Sequence, residues 1–520
     1  MSRERRREVG QLMFAGFRGH TIPVELRSLA REFDLGGVVL FARNVAEPAQ
    51  VADLAREARE LSTSSPVWVA IDQEGGRVQR VKAPLTVWPA PATLGRADDV
   101  QLTGRFARAL GRELRAMGIT FDFAPVLDVL TRKDNPAIGD RAISDDVARV
   151  AKHGVAFIEA LQREGLPACA KHFPGHGDTT SDSHLELPLL PHSRERLEQV
   201  ELPPFRQAIA AGVEAVMTGH LTLPALDPER PATLSRAVLH RLLREQLGFE
   251  GLVVTDALVM EAIAGQYGAG EAAVLALEAG ADLVLMPADA RLAIEAITAA
   301  VATGRLPLAQ LEASAARRQR ALGRCAMEPA DPERAASADL ELCQELVSAT
   351  LEHQGGRLGL RGDKGVNLLR LDQALQAPFL PATAPALGLP AATGFQPRLM
   401  AAETASLWSS DPEAPLHLDR LEPGPVLVQL FVRGNPFRGT AGDGEPWAAA
   451  LGQLQRAGRL AGLAVYGSPY LWDSLRRTLP LQTPAAYCPG QMPLAQQAVL
   501  GALGLGRSAE ANAAPTEFTD

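Results

Sequence analysis

The first 300 or so residues repeat one pattern, and that pattern restricts the folds open to the chain. A short run rich in Val, Ile or Leu ends in a polar residue, and an amphipathic stretch rich in Ala, Leu and Arg follows. The runs are GGVVLF (36–41), VWVAID (67–72), ITFDFAPVLDV (119–129), ACAKHF (168–173), AVMTGH (215–220), GLVVTD (251–256) and ADLVLM (281–286), with VGQLMFAGF (9–17) as a further candidate. Short apolar runs suit strands buried on both faces, and their alternation with helices implies βα units around a parallel sheet. Seven or eight such units in roughly 320 residues fit an α/β fold of the (β/α)8 TIM-like barrel type better than an open sheet.

A barrel places its active site at the C-terminal ends of its strands. Those ends carry Asp72, Asp128, Lys171, His172, His220 and Asp256. Any one of them reads equally well as a satisfied polar residue at a strand edge. Six converging on one face point to an enzyme.

After about residue 325 the texture changes, giving expected boundaries of 1–324 for the barrel, 325–345 for a connector and 346–520 for a second domain. The runs KGVNLLRL (364–371), PVLVQLFV (425–432) and LAGLAVYGS (460–468) are separated by Pro- and Ala-rich stretches, which predicts a smaller α/β domain with long loops. Its strand ends, Arg370, Arg433 and Tyr466, form no reactive set, so a structural or shielding role is expected there. A length of 520 residues agrees with about two domains.

The net charge of −9 argues against a nucleic-acid partner, which would need clustered Lys and Arg. No uninterrupted apolar run approaches the ~18–20 residues of a membrane helix, so no membrane partner is expected. MSRERRREVGQLMFAGF lacks the apolar core and cleavage site of an export signal. The four cysteines, Cys169, Cys325, Cys343 and Cys488, form no CxxC pair and read as reduced thiols of a cytoplasmic protein.

KHFPGHGDTTSDSH (171–184) holds three of the chain's ten histidines. It has no HExxH pair, and Pro174, Gly175 and Gly177 make it an irregular loop, so no metal is expected. In Asp182-Ser183-His184 an extended backbone puts the carboxylate and the imidazole on one side. The carboxylate would orient the ring and stabilise its protonated form, making a proton-transfer pair. From the spacing alone, a turn-capping Asp182 with a solvated His184 is the better account. Asp256 lies between apolar runs in GLVVTDALVM, where a carboxylate is costly unless paired, and such a group suits a nucleophile for a sugar C1. In AIDQEGGRVQR (70–80), Asp72 ends a strand and can accept sugar hydroxyls, Gly75 and Gly76 allow a tight turn, and Arg77 and Arg80 follow.

The residues in hand resemble glycoside hydrolase family three, in particular its β-N-acetylhexosaminidase branch. The resemblance lies in DQEGGRVQR (72–80), FAPVLDV (123–129), NPAIGDRAIS (135–144), KHFPGHGDTTSDSH (171–184), TGHLTLPALDPERPATLS (218–235) and VVTDALVM (253–260). Beyond residue 345 it is weaker, and the second domain looks like a divergent version of the family's α/β sandwich. The resemblance implies Asp256 as a nucleophile forming a covalent glycosyl intermediate. It implies His184 as general acid and then base, oriented by Asp182. It also implies Asp72, Arg80, Arg141, Lys171 and His172 as residues that hold the sugar hydroxyls and acetamido group, with His220 near them. From its own context Arg141, next to Asp140, reads as a salt-bridged surface turn. The implied activity is removal of terminal β-linked N-acetylglucosamine from a small carbohydrate, such as a peptidoglycan fragment, without metal or organic cofactor. Competing readings are a β-N-acetylglucosaminide phosphorylase, another exo-β-glycosidase such as a β-glucosidase, and a non-catalytic sugar-binding protein.

Overall fold

The computed structural model describes residues 3–506 apart from 63, 84, 134, 182–185, 327–335, 360–363, 372–376, 378, 402, 433, 436–438 and 441–444. The chain divides into two compact units, Met1–Cys343 with Gly434–Gly439, and Gln344–Arg433 with Thr440–Asp520.

Among the described residues, the first unit holds β1 (Met13–Gly16), β2 (Gly37–Leu40), β3 (Trp68–Ile71), β4 (Phe121–Asp122), β5 (Cys169–Phe173), β6 (Ala215–Thr218), β7 (Leu252–Val254) and β8 (Val284–Leu285). Parallel pairing gives the orders β8-β1-β2-β3-β4 and β5-β6-β7. The isolated parallel bridges Val126–Lys171 and Val254–Leu283 join these two groups at both ends. The ring is thereby closed, and the unit is a TIM-like barrel. Every position of β2, β3, β5, β6 and β7 is buried, so the strands appear in the sequence as unbroken apolar runs rather than alternating ones.

Aromatic side chains fill the barrel's interior. Phe14 of β1 meets Trp68 of β3 at 5.8 Å between ring centroids, and Trp68 meets Phe121 of β4 at 5.5 Å. Phe14 also reaches Phe121 at 6.2 Å, edge to face, although their strands are not neighbours. The outer helices bury one stripe each. In Val100–Ala116, Leu102, Phe106, Ala109, Leu110 and Leu114 are buried at helical spacing. Each large side chain buried this way contributes ~1.5–3 kcal/mol. Asp99 starts the helix by accepting from the Gln101 and Leu102 amides, and Gly118 at φ 73° follows its end.

The second unit is built on a six-stranded sheet. Its strands are β9 (Glu352–Gln354), β10 (Gly365–Arg370), β11 (Phe395–Met400), β12 (Val426–Val432), β13 (Leu460–Gly467) and β14 (Ala485–Cys488), in the order β9-β14-β13-β12-β10-β11. All pairs are parallel except β9 with β14. Side-chain alternation sends Val366, Leu368, Val428 and Leu430 into a core with Trp447, Leu451, Trp472 and Leu475 from the helices Trp447–Arg456 and Pro469–Thr478. The opposite face is polar at its centre. Asn367 and Gln429 donate to the Ala386 carbonyl at 2.9 and 2.8 Å, tying down the helix Pro385–Ala391. Helices therefore cover both faces, as in an α/β sandwich.

Candidate active site

The C-terminal end of β3 leads directly into a hairpin, Gln73–Gly75 against Val78–Gln79. Gly75 has φ 99°, and a Cβ there would stand 2.5 Å from the Pro89 carbonyl oxygen, so glycine is required. The hairpin folds Glu74 back over the barrel mouth. Lys171 at the end of β5 then donates to Asp72 Oδ1 at 2.7 Å and stands 2.7 Å from Glu74 Oε1. Arg141 closes on Glu74 with two parallel bonds, Nε at 2.8 Å and Nη2 at 2.7 Å. Arg141 is thus no surface turn residue. It is buried, while Asp140 pairs with Arg77 at 2.9 Å.

A second buried pair adjoins the first. Asp128 accepts from His172 Nδ1 at 2.7 Å and from the backbone amides of His172 and His176 at 3.2 and 2.7 Å. Arg141 Nη2 lies 3.4 Å from His172 Nε2. A donor on that side requires the Nδ1–H tautomer, so Asp128 and Arg141 fix the ring from both ends. The loop behind is packed closely, since a Cβ at Gly177 would meet the Val129 carbonyl oxygen at 1.9 Å. His176 donates to or accepts from Thr179 Oγ1 at 2.7 Å. Asn135 ties the same turn by donating to the His176 carbonyl at 2.9 Å.

The charges of this centre support one another. Burial pushes the Glu74 carboxyl up, but Arg141 and Lys171 outweigh it and hold the group well below its ordinary range. Asp72 is lowered in the same way, burial being overcome by Lys171 and Arg80. Burial opposes the cationic form of Lys171, yet Asp72 and Glu74 raise its proton affinity above the usual lysine value. Asp128 is lowered because His172 offsets its burial. Burial brings His176 down to about 4, so this ring is neutral near pH 7. Asp122, beneath the hairpin, goes the other way, and burial raises it well above an ordinary carboxyl while Gln73 donates to it at 3.0 Å. So many buried charges desolvate at a cost that apolar packing would avoid, and that cost marks a functional centre rather than a stability device.

Asp256 follows β7 on the same face and is half-buried. Its Oδ1 accepts from the Ala257 amide at 2.7 Å, and its own amide donates to Thr218 Oγ1 at 3.3 Å. Asp72, Asp122 and Asp256 all act on the buried Cys169 thiol, whose proton affinity is raised by burial first. These carboxylates therefore surround one interior. His220 is buried with Nδ1 2.8 Å from Thr233 Oγ1 and Nε2 3.1 Å from the Ala257 carbonyl. That position braces the turn carrying Asp256. Arg80 stands 3.5 Å from Asp72 Oδ2. Asp182 and His184 lie outside the described residues. Glu74 is the functional residue that the sequence reading passed over, and its signal was an acidic residue between a strand end and a Gly-Gly turn. Among the described residues, no three His, Cys, Asp or Glu side chains are grouped so that they could hold a metal ion.

A TIM-like barrel that gathers carboxylates, a lysine, an arginine and an oriented histidine at its C-terminal face has the arrangement of a barrel enzyme. The chain belongs to glycosyl hydrolase family 3. Residues 5–321 match the family's N-terminal domain, and residues 360–504 match the bacterial family 3 C-terminal domain. The solved family 3 β-N-acetylglucosaminidase from Paenibacillus sp. str. FPU-7 is 33% identical, with a TM-score of 0.80 over 96% of both chains. NagZ from Neisseria gonorrhoeae, solved with N-trifluoroacetyl-D-glucosamine, is 30% identical with a TM-score of 0.54 over 65% of this chain and 97% of that one. Beta-hexosaminidase A of Pseudoalteromonas piscicida is 38% identical over 288 residues, 51% of this chain, and the match spans 48% of that relative's length. No helix among the described residues is long and apolar enough to cross a membrane.

Proposed function

We propose that this chain is a retaining exo-β-N-acetylhexosaminidase that removes terminal β-linked N-acetylglucosamine. The observation that carries the reading is the Asp72–Lys171–Glu74–Arg141–His172 network on the barrel face that also bears Asp256. Asp72 accepts hydroxyl hydrogen bonds, while Arg141, Lys171 and His172 hold the remaining polar groups of the sugar. In the first step an Asp256 carboxylate oxygen bonds to C1 as the C1–O bond to the leaving group breaks. His184 gives its proton to the departing oxygen, and Asp182 orients it. In the second step neutral His184 takes a proton from water, the water oxygen bonds to C1, and Asp256 leaves. The positive charge that builds on the ring in both transition states lies against the Asp256 carboxylate. The resemblance and the hexosaminidase relatives extend this reading to peptidoglycan fragments, handled in the cytoplasm, as natural substrates.

The test is a product assay on a disaccharide of N-acetylglucosamine β-linked to N-acetylmuramic acid, with and without phosphate. Free N-acetylglucosamine in both buffers is expected. A 1-phosphate sugar would make the enzyme a phosphorylase, and faster turnover of β-glucosides would make it a β-glucosidase. For the proton donor, His184→Ala is expected to cost ~10²–10⁴-fold on substrates with poor leaving groups. Activated aryl glycosides need no proton to depart and should lose far less. Equal losses on both would give His184 a structural role.

A further inference from the structure

Two threonines that the mechanism does not use stand behind Asp256, and both are fully buried. Thr218 ends β6, and Thr233 lies in the 3₁₀ turn Ala232–Leu234. Their hydroxyl oxygens are 2.8 Å apart. Thr218 Oγ1 accepts from the Asp256 amide at 3.3 Å, and Thr233 Oγ1 lies 2.8 Å from His220 Nδ1. His220 Nε2 in turn reaches the Ala257 carbonyl at 3.1 Å. A chain of bonds thus leaves the backbone just before the Asp256 side chain and returns to it just after. Thr233 is the middle link.

The protons along this chain follow from its two ends when the ring is neutral. A carbonyl only accepts, so His220 Nε2 carries the hydrogen and Nδ1 accepts. The Thr233 hydroxyl donates to Nδ1 in preference to the Gly219 carbonyl, which is farther off at 3.1 Å. Thr233 Oγ1 then accepts from Thr218, and Thr218 accepts from the Asp256 amide. All four bonds run in one direction, an arrangement in which each polarises the next. The turn that carries Thr233 is itself anchored. The Ala232 amide donates to the Leu221 carbonyl at 2.7 Å, and Ser235 Oγ donates to Asp227 at 2.6 Å.

What this chain controls is the carboxylate. Asp256 Oδ1 accepts from the Ala257 amide at 2.7 Å, so the carboxylate turns with the backbone of residues 256 and 257. That backbone is held on one side through Thr218 and on the other through His220, and both holds meet at one hydroxyl. A misplacement of ~1 Å at a reacting group costs ~10²-fold in rate.

We propose that Thr233 is a positioning residue for the nucleophile, its hydroxyl setting the angle at which the Asp256 carboxylate meets the sugar C1. The proposal rests on the reading of Asp256 as nucleophile and adds a residue that acts on it through Thr218 and His220.

The experiment follows covalent labelling by 5-fluoro-N-acetylglucosaminyl fluoride. An Asp256 oxygen bonds to C1 as the C1–F bond breaks and fluoride leaves, and the ring fluorine slows the second step so that the adduct accumulates. Mass spectrometry of the intact protein and its peptides reads the rate and the place. Thr233→Val keeps the side chain's shape and removes the hydroxyl. It is expected to lower the labelling rate about 10²-fold while the inhibition constant of N-acetylglucosamine changes by less than about twofold. Thr233→Ser restores the hydroxyl and should label at close to the wild-type rate. Thr218→Val cuts the same chain one link nearer Asp256, should show the same split, and decides the matter if Thr233→Val does not fold. Wild-type labelling in the valine variants would overturn the positioning role. A loss shared by Thr233→Ser, or one matched by a loss of N-acetylglucosamine affinity, would make Thr233 a packing residue instead. Absence of an Asp256 adduct in the wild type would overturn the nucleophile reading, and the role of Thr233 with it.

Discussion

Asp256→Ala is expected to lower kcat/KM on an aryl β-N-acetylglucosaminide by on the order of 10⁴-fold or more, with the fold retained. The size follows from the step removed, because without the carboxylate no covalent intermediate forms and the positive charge on the ring loses its counter-charge. The fold is retained because the side chain is half-buried and its bond from the next residue's amide is a local one. The turn's other anchors survive the change, since Thr218 Oγ1 accepts from the backbone amide of residue 256 and His220 stands against the Ala257 carbonyl. Azide fits the vacated space and can attack C1 in place of water, so it should restore turnover of activated aryl substrates and yield the glycosyl azide of inverted configuration. Circular dichroism checks the fold and steady-state rates check the loss. Wild-type-like activity in the variant would remove the nucleophile assignment.

The barrel was legible because its strands are buried on both faces. GGVVLF and VWVAID carry their whole structural message in local composition, and their polar termini mark the active face. The second unit reveals less. Among the described residues Phe395–Met400 pairs only with β10, leaves Gln396, Pro397 and Leu399 exposed and includes a proline, so FQPRLM gives no apolar run. Ala485–Cys488 is short and alanine-rich, and Glu352–Gln354 is polar throughout, so both lack the composition that announces a strand. The site divides on similar lines. Asp72, Lys171, His172 and Asp256 stand at strand ends, where position alone gives them away. Glu74 and Arg141 do not, for their meaning depends on a contact across 67 residues of chain. Asp140 and Arg141 are adjacent in sequence, yet each pairs elsewhere, with Arg77 and Glu74. No spacing rule separates that arrangement from a salt-bridged turn.

Glu74→Gln should be the most damaging single change to the barrel unit's stability that keeps side-chain shape. Glutamine preserves the volume but leaves Lys171 and Arg141, both buried, without the carboxylate they share. Removing one member of a buried ion pair costs ~3–5 kcal/mol, because the remaining charge is stranded in a poorly polarisable interior. Asp72 still faces Lys171 and the Ala137 carbonyl still accepts from Arg141 at 3.2 Å, which places the expected loss toward the lower end. The pH dependence separates this account from a packing defect. The folded-state value of Glu74 is depressed below its ordinary 4.5, so its stabilisation is complete above that pH and is lost as pH falls toward the folded-state value. Wild type should lose stability through this group on acidification, and Glu74→Gln has no such group to lose. The gap in denaturation midpoint between the two should therefore be widest near neutrality and narrow steadily below about pH 4.5. A gap that stays constant with pH would assign the loss to packing. No gap at pH 7 would mean that the two cations are adequately held by Asp72 and the backbone alone. Activity should fall with stability, since Glu74 sets the position of Arg141, and Arg141 in turn fixes the His172 ring.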